Sequence, residues 1–166
     1  MNEMKRHLGF TAIMAAWILA FAMVAVPVRA EENKADASNM EILREKFQAD
    51  KKLVVAANMD LTEAEAKAFW PIYQEFQIKL TQINDRLGKL IGNYAENYKS
   101  MTNEISQKLL KESMVVDKER VALKELYLPK FQKAVPAIKA VRYFQIENKI
   151  QAIVNYKLAG RIPLMQ

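Results

Sequence analysis

Residues 60–98 read DLTEAEAKAFWPIYQEFQIKLTQINDRLGKLIGNYAENY, and this stretch decides the fold. Its large apolar side chains recur at alternating steps of four and three residues. That spacing is the 3.5-residue period of a helix that packs along a seam against another helix. The seam residues are Phe69, Tyr73, Phe76, Leu80, Ile83, Leu87, Leu90 and Tyr94. The pattern predicts one long helix that extends to about Tyr98.

A capping box marks the start of this helix. Thr62 and Glu65 have the Ser/Thr-x-x-Glu spacing, in which each side chain accepts a hydrogen bond from a backbone N–H that would otherwise lack a partner. The apolar Leu61 precedes the cap. We therefore expect the long helix to begin at Thr62.

A second long helix follows a short tip at residues 97–101, and Thr102 is its predicted cap. Its seam residues are Ile105, Leu109, Val116, Leu123, Tyr127 and Phe131. If the chain reverses at Ser100, Phe69 lies opposite Phe131 and Tyr73 opposite Tyr127. Pro71 and Pro129 then fall at the same level, where two proline kinks would bend the hairpin. The alternative is that each proline is tolerated locally.

Shorter segments flank the hairpin. Residues 31–37 are charged and lack apolar periodicity, which predicts a flexible leader. Residues 39–57 form a first helix, and Pro136 opens a last helix that ends near residue 159. The predicted fold is all-α: a long kinked antiparallel hairpin with a shorter N-terminal helix and a basic C-terminal helix, in a single domain over residues 38–166.

Two charged residues occupy positions where apolar residues are expected. Arg120 lies in the seam of the second long helix, and Glu147 lies in the apolar face of the last helix. A reversal at residues 135–136 brings them to nearly the same level, so we expect a partly buried ion pair. The alternative is that Glu147 is an unpaired carboxylate with a perturbed pKa that serves a functional site.

The first thirty residues have the pattern of a signal peptide. A basic start at residues 5–7 precedes an uncharged apolar run over residues 8–26, and Ala30 provides a small residue for cleavage. This run is long enough that an uncleaved membrane anchor is the alternative. In both cases the rest of the chain is expected in the periplasm.

Composition excludes several classes of site. The chain has 166 residues, no cysteine and one histidine, His7, which leaves with the signal peptide. The mature chain therefore lacks the side chains of common zinc sites, cysteine nucleophiles and Ser-His-Asp triads. We expect no enzyme activity, no metal and no cofactor.

Basic residues concentrate in the last 38 residues, where Glu147 is the only acidic side chain. Such a strip can contact acidic proteins or an anionic membrane surface, whereas the simpler interpretation is a solvated face. Nucleic acid is not an expected partner of an exported protein. The predicted partner-binding residues are Lys130, Lys133, Lys139, Arg142, Lys149, Lys157 and Arg161.

Residues 58–65, NMDLTEAE, and residues 101–105, MTNEI, each open a long helix. In an exported, cysteine-free helical chain they resemble the Leu-Thr-x-x-Gln repeat of the Spy/CpxP family of periplasmic stress proteins, although Glu65 and Ile105 replace its glutamine. The resemblance implies an ATP-independent chaperone or envelope-stress protein that holds unfolded clients on a helical surface. The alternative is an adaptor that binds one specific envelope partner. We also expect a homodimer, because slender helices leave apolar surface uncovered.

Overall fold

The computed structural model describes the backbone of residues 28–165 and the side chains of residues 41–165. Its helices are α1 (Val28–Met59), α2 (Glu63–Asn97), a 3₁₀ turn (Tyr98–Ser100), α3 (Asn103–Ala134) and α4 (Ala137–Ala159). No strand occurs in this described part, so the all-α prediction is confirmed. Contacts divide the chain after Lys51 into two compact units. The predicted single domain over residues 38–166 stays a prediction.

Helix α1 begins earlier than the sequence indicated. It starts at Val28 instead of residue 39 and includes residues 31–37, for which we expected a flexible leader. This segment contains Ala, Glu and Lys, which favour helix, and it has no glycine or proline to end one. The rest of the predicted signal peptide, residues 1–27, lies outside the described residues.

The predicted caps are confirmed. The backbone N–H of Glu65 donates to Thr62 Oγ1 at 3.3 Å, and the backbone N–H of Thr62 donates to Glu65 Oε2 at 2.8 Å. Thr102 caps α3 by accepting from the backbone N–H of Ile105 at 3.2 Å. Each long helix therefore begins where a side chain can satisfy the free donors of its first turn.

Helices α2 and α3 lie antiparallel. Their ring and charge pairs include Phe69 with Phe131, whose centroids are 5.3 Å apart, and Arg86 with Glu119. Tyr73 and Tyr127 do not form the expected ring pair: Tyr73 contacts a ring of α4, and Tyr127 contacts Phe76 at 5.4 Å. Pro71 and Pro129 lie inside continuous helices. The bend that we expected at these two prolines stays a prediction.

The core of the second unit is an aromatic cluster shared by three helices. Phe131 of α3 contacts Phe69 and Phe76 of α2 and also Tyr143 of α4, with centroid distances of 4.5 to 6.0 Å. The end of α1 adds Val55 and Met59, which are fully buried. This cluster fixes α4 against the hairpin and so determines which of its side chains face solvent.

Candidate functional site

The seven basic residues predicted to bind a partner differ in their exposure and in their contacts within the fold. Lys130 and Lys133 belong to α3, and Arg161 follows the end of α4, while the other four belong to α4 itself. Some of them are bound within the fold and others are exposed. The structure therefore separates the basic strip into residues with different roles.

Lys139 is bound within the fold. Its Nζ lies 2.6 Å from Glu65 Oε2 and 2.6 Å from the backbone carbonyl oxygen of Asp60, and only 19% of its side chain is exposed. The hydrogen bond from Lys139 to the Glu65 carboxylate, together with the one from the Thr62 backbone, lowers the pKa of Glu65. Lys139 therefore joins the start of α4 to the capping box of α2, and its charge is not available to a partner.

Lys130 also has contacts within the fold. Its Nζ lies 3.4 Å from Glu75 Oε2 and 4.3 Å from the centre of the Tyr127 ring. Burial raises the pKa of Tyr127. An exposed ion pair of this kind leaves Lys130 with a nearby counter-charge, so it contributes less to any partner-binding surface.

Arg142 and Lys149 are exposed basic residues of α4. They are seven residues apart, so they lie on one side of the helix at nearly the same angle. Large exposed apolar residues share this side: Ile138 is 72% exposed, Ile153 is 58% exposed and Tyr156 is 82% exposed. We call these five residues the α4 outer face. A surface that alternates basic and apolar side chains can bind unfolded segments that carry both acidic and apolar residues.

A polar cleft of about 450 Å³ borders this face. Arg142 and Lys149 line one side of the cleft, and Asn58 and Asp60 near the end of α1 line the other. Asp60 has a positive φ of 47°, which turns the chain from α1 toward α2. The cleft places the two basic residues beside polar groups at the end of α1.

The other three predicted basic residues, Lys133, Lys157 and Arg161, are exposed outside the α4 outer face.

The predicted ion pair between Arg120 and Glu147 is wrong. The Arg120 guanidinium donates to Asn84 Oδ1 at 2.8 Å and lies 3.9 Å from Asp117. Partial burial lowers the pKa of Arg120. The cause of the error is mainly the direction of the two side chains, because both point toward α2: Arg120 contacts Asn84, and Glu147 contacts Gln77.

Glu147 is 4% exposed and accepts a hydrogen bond from Gln77 Nε2 at 2.7 Å. The same Gln77 nitrogen lies 3.1 Å from the hydroxyl oxygen of Tyr143. Burial, and then the negative charge of Glu147, raise the pKa of Tyr143, so its hydroxyl stays protonated. This group is a buried polar network. The sequence did not indicate Gln77, although its position directly after the seam residue Phe76 places it at the edge of the core.

Neither a metal-ion site nor a membrane-spanning helix occurs among the described residues. Among them, no three His, Cys, Asp or Glu side chains are arranged to hold a metal ion. No helix in the same part of the chain is long and apolar enough to cross a membrane.

Comparisons with known proteins did not identify a family. No protein-family model matches the chain, and neither the curated proteins nor the solved structures that were compared with it include a similar one.

Proposed function

We propose that this protein is an ATP-independent, chaperone-like protein of the periplasm that binds unfolded clients through the α4 outer face. The periplasmic location rests on the predicted signal peptide, and the stress-protein role rests on the resemblance to the Spy/CpxP family. The observation that carries the proposal is the exposed combination of Arg142 and Lys149 with three large apolar side chains.

The chemistry of this face suits a weak, general binder. Apolar side chains supply contact area with any unfolded segment, and exposed basic side chains attract acidic segments and raise the association rate. Neither contribution needs a matched partner shape, so many clients can bind. The polar cleft beside Arg142 adds hydrogen-bonding groups at the edge of the same surface.

A client-aggregation assay tests the proposal. The purified protein should reduce light scattering when a chemically denatured client enzyme is diluted into buffer. The double variant Arg142→Glu/Lys149→Glu should lose roughly half or more of this protection, and added salt should weaken the wild-type effect, because exposed charges are screened over about 8 Å at physiological ionic strength.

The matched control is Lys67→Glu/Lys89→Glu, which makes the same charge change at exposed positions of α2. Equal loss in both variants would show that total charge, and not the α4 outer face, is responsible. No protection by the wild-type protein, together with recovery of one stoichiometric partner from an envelope extract, would favour the adaptor function instead. Binding to anionic vesicles without client protection would favour a membrane-surface role.

A further inference from the structure

An apolar cleft of about 270 Å³ lies near the tip of the hairpin, away from the α4 outer face. Leu90, Ile91 and Tyr94 of α2 line one side, and Leu109 and Leu110 of α3 line the other. The side chains of α2 and α3 do not fill the space between the two helices at this point. Its volume is close to that of the smallest ligand pockets, about 300 Å³.

Residues 161–165, which follow α4, cover this cleft, and we call them the tail. The side chains of Ile162 and Met165 complete the lining of the cleft. Both side chains face the cleft, with Pro163 and Leu164 between them in the chain. The tail thus closes one side of the cleft, and about 270 Å³ stays open between it and the two helices.

Two tyrosine hydroxyls hold the backbone of the tail. The hydroxyl of Tyr94 donates to the carbonyl oxygen of Pro163 at 2.8 Å, and the hydroxyl of Tyr98 donates to the carbonyl oxygen of Leu164 at 3.1 Å. Both acceptors are main-chain atoms, which every peptide has. The cleft can therefore bind a peptide backbone through these hydrogen bonds and apolar side chains through packing contacts.

The tail is held weakly enough to be displaced. Leu164 is 88% exposed and Met165 is 49% exposed, so much of the tail's apolar surface stays in water. The two tyrosine hydrogen bonds are solvent-exposed and connect neutral groups, which contribute little net stability each. Another peptide with the same features can compete for the site.

We propose that the α2–α3 surface of the hairpin-tip cleft is a second binding site, for client segments with two apolar side chains three residues apart, and that the tail, which covers this surface, is an intramolecular competitor. This inference rests on the proposed function, because it assumes that the protein binds unfolded clients. It adds a specific binding mode and a means of regulating it.

A labelled peptide with the sequence of residues 159–165 is the probe, and fluorescence anisotropy measures its binding to the full chain. The variant Ile162→Ser/Met165→Ser should release the tail and strengthen peptide binding, by roughly tenfold if the tail covers the cleft nine-tenths of the time. The variant Tyr94→Phe/Tyr98→Phe should weaken peptide binding when it is combined with the released tail, because the two backbone hydrogen bonds are lost.

Ile78→Ser is the matched control, since Ile78 is 55% exposed on α2 and contributes to neither site. It should leave peptide binding unchanged. Adding Ile91→Glu to the released-tail variant should abolish binding by placing a charge in the cleft. Equal peptide affinity in the wild type and the released-tail variant would overturn the proposal, even if the wild type protects clients from aggregation. Loss of client protection with intact peptide binding would instead count against the α4 outer face.

Discussion

Lys139 shows how one side chain can connect three elements. Its ammonium group contacts the Glu65 carboxylate of the α2 capping box and the carbonyl oxygen of Asp60, the first residue after α1. The Glu65 carboxylate also accepts from the backbone N–H of Thr62. A single carboxylate thus caps a helix and anchors the start of α4.

This arrangement predicts a specific pH dependence of stability. The pKa of Glu65 is lowered from its ordinary value of 4.5, so the unfolded chain binds a proton at Glu65 more readily than the folded chain does. The contribution of Glu65 is therefore present above pH 4.5 and is lost as the pH falls through the lower, folded-state pKa. Glu65→Gln should lose less stability than the wild type over this acidic range, as measured by urea unfolding at a series of pH values.

The neighbouring change Glu63→Gln is the control, since Glu63 is exposed in the same turn. It should keep the acid sensitivity of the wild type. If Glu65→Gln shows the same pH profile as the wild type, the Lys139 contact does not stabilise the folded state. Lys139→Met should remove most of the difference between the wild type and Glu65→Gln.

Arg120 and Glu147 show that placing two charges by level alone is insufficient. Lys124 of α3 lies beside Asn148 of α4, and the two helices run in opposite directions. Arg120, four residues before Lys124, therefore lies beside the α4 residue about four positions after Asn148. Glu147 is therefore about five residues, or about 7.5 Å, away along the helix axis, at 1.5 Å per residue. Glu147 also faces Gln77 of α2. Both the level and the direction of the carboxylate differ from those needed for the pair.

At the scale of whole elements, the aromatic cluster determines how the helices assemble. Phe131 is fully buried and contacts rings of α2 and α4, so it is common to both packing surfaces of α3. Tyr143 has the same role on α4, with ring contacts to Phe69 at 5.2 Å and to Tyr73 at 5.9 Å. The hairpin and α4 are therefore stabilised by the same core.

Phe131→Ala should be severely destabilising. Removing a fully buried ring leaves a cavity between three helices, and substitutions of this kind typically cost about 3 to 5 kcal/mol. Leu128→Ala, at a position that is 37% exposed on the same helix, should cost much less. Urea unfolding followed by circular dichroism measures both. Comparable losses in the two variants would mean that the three-helix cluster is not the main source of stability.

At the scale of the whole molecule, α3 carries apolar residues that its packing leaves exposed. Met114 and Val121 are seven residues apart on one flank of α3 and are 52% and 56% exposed. Leu126 is 58% exposed on the other flank. A stripe with heptad spacing is suited to packing against a second helix, and a second copy of the chain would supply one.

The predicted homodimer can be tested on this stripe. The wild-type protein should sediment as a dimer in analytical ultracentrifugation, and Met114→Ser/Val121→Ser should shift it toward the monomer because the apolar contact is lost. Leu126→Ser is the control on the opposite flank and should leave the mass unchanged. A wild-type monomer at all accessible concentrations would contradict the dimer, whereas a dimer that survives in the double variant would place the interface elsewhere.

Local patterns in the sequence were sufficient for the elements of the hairpin. The seam from Phe69 to Tyr94 and the caps at Thr62 and Thr102 depend on residues within one or two turns of each other, and the structure has them where the sequence indicates. The antiparallel pairing of α2 and α3 follows because a short tip at Tyr98–Ser100 fixes the register of adjacent helices. The start of α1 was misplaced because charged residues can form helix without apolar periodicity.

The all-α class, the capped helices and the pairing of α2 with α3 therefore follow from local sequence patterns. Three features depend on the packing of the helices instead: the directions of Arg120 and Glu147, the contact of Lys139 with Glu65, and the closure of the hairpin-tip cleft by Ile162 and Met165. The two groups of features differ in the range of the interactions that determine them. Helix periodicity and capping depend on neighbours in sequence, whereas the position of α4 depends on how aromatic rings from three helices fit together, and that fit determines which charges are free.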